Sequence, residues 1–271
     1  MLLIDTHCHL DAAEFDADRD VLANEAREQG VAAIIVPSVH QSNFETVIKL
    51  AQQHTHVHYA LGIHPMYVNQ SQAQDLTSLK IRLEQAVASQ KPPVAVGEIG
   101  LDFFVTTENR SQQIYFFTEQ LKLANQFDLP VILHVRRAVD EVLKYCRQFN
   151  IKGGIAHAFN GSRQQADEFI KLGFKLGFGG AMTYPRALKI RALAQTLPIE
   201  AIVLETDAPD IAPIWLTQLG ENQANIKARN NPLELMKIAQ VLADLRGLKL
   251  AQVTDITTNN ALQILPKIIP K

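Results

Sequence analysis

Cysteine is nearly absent: Cys8 and Cys146 are the only two in 271 residues. Two lone thiols give no disulfide framework, which fits a reducing compartment and sets aside small stapled secreted folds. Charge of one sign is also lacking, with 26 Lys and Arg against 28 Asp and Glu for a formal net charge of −2. No global field draws in nucleic acid, so a polyanion has to be gripped locally. This counts against a protein that merely coats DNA, but not against a nuclease working through metals. No apolar run reaches the roughly eighteen residues that cross a bilayer as a helix. The N-terminal run has no basic flank and is interrupted by Asp5 and His7, unlike a secretory signal. A cytoplasmic protein with no membrane attachment and no obligate protein partner is expected. Internal repeats, low-complexity tracts and charge runs are absent as well.

What is present is an ordinary globular composition, 47% hydrophobic and 20% charged, able to bury a sizeable core. Short β-branched runs predict strands over 2–5, 32–37, 57–62, 94–98, 131–134, 154–157, 175–179 and 201–205. Between them, helical patterns run over 19–29, 43–54, 78–89, 113–126, 138–149, 163–171 and 185–195, with two more at 233–245 and 251–265. Strands separated by helices imply βαβ units and a parallel sheet. Eight such units in one chain predict a single (β/α)8 TIM-barrel domain over residues 1–271, closed by C-terminal helices. The alternative is an open doubly wound sheet, weakened because no Gly-rich phosphate loop follows the first strand. The stretch 207–232 breaks the rhythm with Pro209, Pro213, the only tryptophan (Trp215) and Gly220. A connection this long predicts a functional loop or lid.

His7 and His9 follow the first strand with the alternation that puts two side chains on one face, where both imidazoles can reach one metal. Spacing alone does not decide, because His54, His56 and His58 alternate more densely. Position does. Active sites of these barrels lie at the C-terminal ends of the strands, where the sequence places His7, His9, His64, Glu98, His134, His157, Glu205 and Asp207. His54 and His56 fall at the opposite end and are expected to be solvated loop residues, with His58 partly buried. His40 follows the second strand without a specific role. Cys8 faces away as a small core residue. Nitrogen and carboxylate ligands without thiolate suit Zn²⁺, Mn²⁺, Co²⁺ or Fe²⁺, while Mg²⁺ prefers more oxygen. Four histidines and two carboxylates exceed what one catalytic zinc needs; two metals fit, with Glu98 as the candidate bridge. Asp207, further out than Glu205, is the better ligand and proton acceptor, with Glu205 as support behind it. His64, before Pro65 in a loop, is either a ligand or, as favoured here, a substrate contact.

In order and separation, Asp5-x-His7-x-His9-Leu10, Gly62-x-His64-Pro65, Gly97-Glu98-Ile99-Gly100-Leu101-Asp102, Leu133-His134-x-Arg136, His157-x-Phe159-x-Gly161, Glu205-Thr206-Asp207 and Arg229-Asn230-x-Pro232 resemble the TatD family of metal-dependent deoxyribonucleases. The resemblance implies an amidohydrolase-like TIM barrel. It implies one metal on His7, His9, Glu98 and Asp207, and a second on Glu98, His134 and His157. It also implies a magnesium- or transition-metal-dependent nuclease, in some relatives trimming single-stranded DNA from an end and in others acting on aminoacyl-tRNA esters. Phe103-Phe104 replace a tyrosine common after that glutamate motif, Asn231 stands where acidic residues are common, and Leu265 where phenylalanine is.

The expected reaction is phosphodiester hydrolysis of single-stranded DNA by a two-metal, hydroxide-attack mechanism, with Asp207 accepting a proton. His64, Arg136 or Arg137, and Arg229 are expected to hold phosphate oxygens, and Trp215, Phe103 and Phe104 to stack on bases. Two rivals stand beside it. One is a metal-dependent hydrolase of esters, lactones or amides, such as an aminoacyl-tRNA deacylase. Its binuclear relatives often bridge with a modified lysine, and Glu98 rather than lysine ends the fourth strand. The other is a non-catalytic metal-binding scaffold, disfavoured because structural zinc sites are closed and often cysteine-rich.

Overall fold

The computed structural model describes residues 1–104, 109–219, 225–227 and 229–268. Eight parallel strands pair in sequence order: β1 (Leu3–Asp5), β2 (Val31–Pro37), β3 (Val57–Leu61), β4 (Ala95–Asp102), β5 (Val131–Arg136), β6 (Gly154–Ala156), β7 (Lys175–Phe178) and β8 (Ile202–Leu204). The last seam closes on the first strand, where the Thr6 backbone N–H and Oγ1 both donate to the Leu204 carbonyl at 3.1 and 3.0 Å. Helices α1 (Arg19–Glu28), α2 (Phe44–Gln53), α3 (Ala73–Val87), α4 (Arg110–Gln126), α5 (Val139–Gln148), α6 (Arg163–Lys171) and α7 (Leu188–Thr196) cover the outside. They are followed by α8 (Leu235–Arg246) and α9 (Leu250–Ile264). This is the (β/α)8 barrel expected from the alternation.

Strand alternation divides the core in two. Leu3, Ile34, Val36 and Leu133 point outward beneath the helices. Ile4, Ala33, Ile35, Ala60, Ala95, Ile132, Ile155 and Val203 fill the barrel interior, joined from below by Ala261, Leu265 and Ile268. The interior is therefore a packed apolar plug, and polar chemistry is confined to the layer above it. Leu265 belongs to that plug.

The structure differs most from expectation at β4, at α3 and in the loop after β8. β4 continues past Glu98 to Asp102, staying paired with β5 through Asp102 and Arg136. α3 begins at Ala73 because Asp75 Oδ2 accepts from the Gln72 backbone N–H at 2.8 Å, adding a turn before the apolar positions Leu76, Leu79 and Leu83. The long loop after β8 carries a short antiparallel hairpin, β9 (Thr217–Leu219) with β10 (Asn225–Lys227); Gly220 lies outside the described residues. No helix among the described residues is long and apolar enough to cross a membrane.

Candidate active site

His7, His9, His157, Glu205 and Asp207 lie one to four residues beyond the ends of β1, β6 and β8, while Glu98 and His134 lie within β4 and β5. All converge at one mouth. Glu98, 1% exposed, stands at the centre with its two oxygens turned to different partners. Oε2 lies 3.1 Å from His7 Nε2 and 3.4 Å from His9 Nε2. Asp207 Oδ1 closes this set at 3.6 Å from His7 Nε2 and 3.9 Å from His9 Nε2. Oε1 lies 2.8 Å from His157 Nε2, 3.0 Å from His134 Nδ1 and 3.3 Å from His64 Nε2. The His7 and His157 rings stack at 3.9 Å between the two sets.

These donors fit divalent metals. His7 Nε2 and His9 Nε2 are 3.2 Å apart, and Glu98 Oε2, though within 3.1 Å of a nitrogen, is buried without a hydrogen bond. Buried polar atoms are normally paired, so two ring nitrogens crowding an unpaired carboxylate oxygen mark a cation site. Among the described residues, three groups have ligand atoms within 4.8 Å of one another: His7/His9/Glu98, His7/His157/Asp207 and His64/Glu98/His134.

Electrostatics follow from this crowding. Burial pushes the Glu98 carboxyl up, but His157, His64 and His7 outweigh it and hold it well below the usual carboxylate range. Burial alone would lower His9 and His157; Glu98 and the neighbouring carboxylates raise them instead to about 9 and about 10. Burial, reinforced by His157, drives His7 well down. Asp207 is raised by burial, opposed by His157 and His9.

His64 separates from the ligands on tautomer grounds. Its Nδ1 accepts from the Met66 backbone N–H at 3.1 Å, so the neutral ring carries its proton on Nε2, the atom that faces Glu98. Burial lowers its pKa to about 4. At neutral pH His64 is a neutral donor aimed into the site rather than a lone pair for a metal.

Behind these residues lies a supporting layer that the sequence reading left without a role. Asp102 Oδ2 accepts from His134 Nε2 at 3.1 Å, freeing Nδ1 to face Glu98, the carboxylate–histidine arrangement that orients metal ligands. Asp5 Oδ1 and Oδ2 accept from the Thr206 backbone N–H and hydroxyl at 2.9 and 2.6 Å. Asn230, fully buried, donates through Nδ2 to the carbonyls of Thr206 and Asp210 at 2.8 and 2.9 Å. Together with the bond from Asp207 N–H to the His7 carbonyl at 2.8 Å, they fix Asp207, whose φ of 55° few non-glycine residues adopt. Glu205 lies beside His157, with Oε1 accepting from the Ala158 N–H at 2.5 Å and lying 4.0 Å from His157 Nδ1. Burial raises its carboxyl to about 8.

Several expectations are corrected. Arg229 is not among the residues lining the cleft: its guanidinium makes a bidentate pair with Asp18 at 2.9 and 2.5 Å, donates to the Glu14 carbonyl and lies 4.7 Å over Phe15. It secures the loop before α1. His56 is not solvated; it is 1% exposed and bonds the Ala23 carbonyl at 2.9 Å. His54 pairs with Asp20 at 2.7 Å, and His58 is buried. Phe103 packs against the core under Arg110 rather than offering a stacking face. Trp215 is 37% exposed, donates to Glu234 at 2.6 Å and stands outside the catalytic cleft.

The cleft itself measures about 520 Å³ and is lined by Glu98, His134, His157, His64, His40 and the acidic trio Asp11, Glu14 and Asp210, among others. A larger hollow of about 710 Å³ at the other end of the barrel holds none of these residues.

Comparison with known proteins agrees with this geometry. Residues 4–266 match the family described as TatD related DNase. The chain is 38% identical to the uncharacterized metal-dependent hydrolase YjjV of Escherichia coli over 95% of each chain. The crystal structure of that TatD homolog superposes with a TM-score of 0.88, covering 99% of this chain and 98% of that one. Human deoxyribonuclease TATDN3 is 29% identical over 98% of this chain and 95% of its own.

Proposed function

The chain belongs to the TatD-related DNase family of metal-dependent hydrolases, and on that premise we propose that it hydrolyses phosphodiester bonds of single-stranded DNA with two divalent metals, in a reducing cytoplasm. The observation that carries this reading is the division of Glu98 between two nitrogen sets, one on each carboxylate oxygen. His7, His9, Glu98 and Asp207 would hold one metal and Glu98, His134 and His157 the other. When bound, such metals make a water acidic near neutral pH and neutralise charge on the phosphoryl group.

The chain's own groups do the rest. Asp207, at the mouth with a raised carboxyl, takes the proton of the attacking water. His64 donates from Nε2 to a phosphoryl oxygen and, being neutral, does not compete with the metals for the Glu98 charge. Asp102 keeps His134 oriented, and Glu205 fills the space behind His157. That a relative is named a deoxyribonuclease supports phosphodiester chemistry, as does a glutamate rather than a lysine at the bridging position.

A second reading, hydrolysis of an aminoacyl ester, is favoured by one feature. The cleft wall formed by Asp11, Glu14 and Asp210 suits an ammonium group better than a phosphate. Metal-loaded protein assayed in parallel on 3′-labelled single-stranded DNA and a panel of acyl esters separates the two. Shortened DNA is expected; ester turnover with intact DNA would overturn the nuclease reading.

A further inference from the structure

We propose that Phe104, Arg136 and Arg137 form a rim clamp for backbone phosphates of a single-stranded nucleic acid, beyond the bond being cut. This rests on the nuclease reading and assigns residues that grip the strand away from the cut. The Arg136 and Arg137 guanidiniums lie over the same Phe104 ring, 3.8 and 4.4 Å from its centroid. Successive strand residues point to opposite faces, so two neighbouring arginines would ordinarily part. Arg137 follows the end of β5 with a φ of 54°, and both side chains meet the one ring.

Phe104 is 47% exposed and the Arg136 side chain 46%. Among the described residues, the nearest carboxylate to Arg136 is Asp102, whose Oδ2 is 4.0 Å away and already accepts from His134. None pairs with Arg137. Two guanidiniums held together with so little compensation, in a chain of net charge −2, make a local anion site. Its ligand has at least two phosphates, or a phosphate and a base that stacks on a guanidinium plane.

Location sets which phosphates these are. The clamp stands outside the lining of the cleft, which includes His134 but neither arginine. It is tied to that wall through Asp102, which accepts from the Phe104 N–H at 2.9 Å as well as from His134. A group at Glu98 leaves the arginines to the continuing chain, while the acidic wall of Asp11, Glu14 and Asp210 repels phosphates from another part of the mouth.

The test is binding of a fluorescent oligothymidylate of roughly ten nucleotides to the full chain in chelator, where nothing is cut, from about 50 to about 300 mM salt. Arg137→Ala should weaken binding at low salt about three- to tenfold and make the slope of log affinity against log salt shallower by about 0.7, one single-strand phosphate contact. Phe104→Leu should weaken it as well, and Arg137→Lys should retain most of the slope. Unchanged affinity and slope in both Arg137→Ala and Phe104→Leu would overturn the clamp, as would no binding by the unaltered protein at the lowest salt. Metal-loaded protein that cuts DNA while Arg137→Ala binds normally removes the clamp and keeps the nuclease. Arg137-dependent binding without any DNA cleavage does the reverse.

Discussion

Each proposed ligand matters through the atom it turns into the site. Asp207→Asn keeps the shape of a ligand but not its basicity. Turnover should fall by about 10²–10⁴-fold with the melting temperature nearly unchanged, and a variant with full activity would remove Asp207 from the chemistry. His9 and His157, raised to about 9 and about 10, carry protons at pH 7 in the metal-free protein, and a metal has to displace them. Affinity should therefore rise with pH from 7 toward 9, with proton release visible by calorimetry in two buffers of different ionisation enthalpy. Equal heats in both buffers would contradict this. The histidines and carboxylates that meet at Glu98 were legible because strand ends can be located from the β-branched runs. Asp102 was not given a role, since ending the fourth strand at Glu98 hid the alternation that puts Glu98, Gly100 and Asp102 on one side. Arg229 misled because a motif arginine looks alike whether it pairs with a phosphate or with Asp18.

Elements place these atoms, and they do so through small clearances and buried amides. A Cβ on Gly177 in β7 would come within 2.1 Å of Glu205 Oε2, so Gly177→Ala should displace Glu205 from behind His157. Metal affinity should drop more than stability does, read by competition with a chromogenic chelator. Asn230 secures the loop after β8 through two carbonyls. Asn230→Ala leaves both without that donor, at about 1–3 kcal/mol for each that stays dry, and should lower both melting temperature and kcat. Normal kcat with a lowered melting temperature would show that Asn230 only supports the fold. Strand order and helices α1 to α9 followed from periodicity, whereas the early start of α3 depended on a cap formed by Gln72 and Asp75, and hairpin β9–β10 on pairing that no apolar pattern announces. The solvated status expected for His56 failed because the helix packed over it, α1, supplies an acceptor at Ala23.

At the scale of the whole molecule, the barrel is an apolar plug carrying a polar mouth, and the metals would tie β1, β4, β5, β6 and β8 together across it. Binding to the folded state alone stabilises by about 2.7 kcal/mol at a hundredfold excess over Kd. Chelation should therefore lower the melting temperature by about 5–10 °C, and restoring Mn²⁺ or Zn²⁺ should recover it; an unchanged melting curve would argue against ligands spread over five strands. The central claim is that Glu98 joins two metals in one hydrolytic centre. Stepwise titration of metal-free protein with Mn²⁺, followed by electron paramagnetic resonance and DNA cleavage on the same samples, tests it most directly. Two ions per chain with a spin-coupled signal, and cleavage that appears as the second ion binds, is the predicted result. Saturation at a single uncoupled ion with full activity would contradict it.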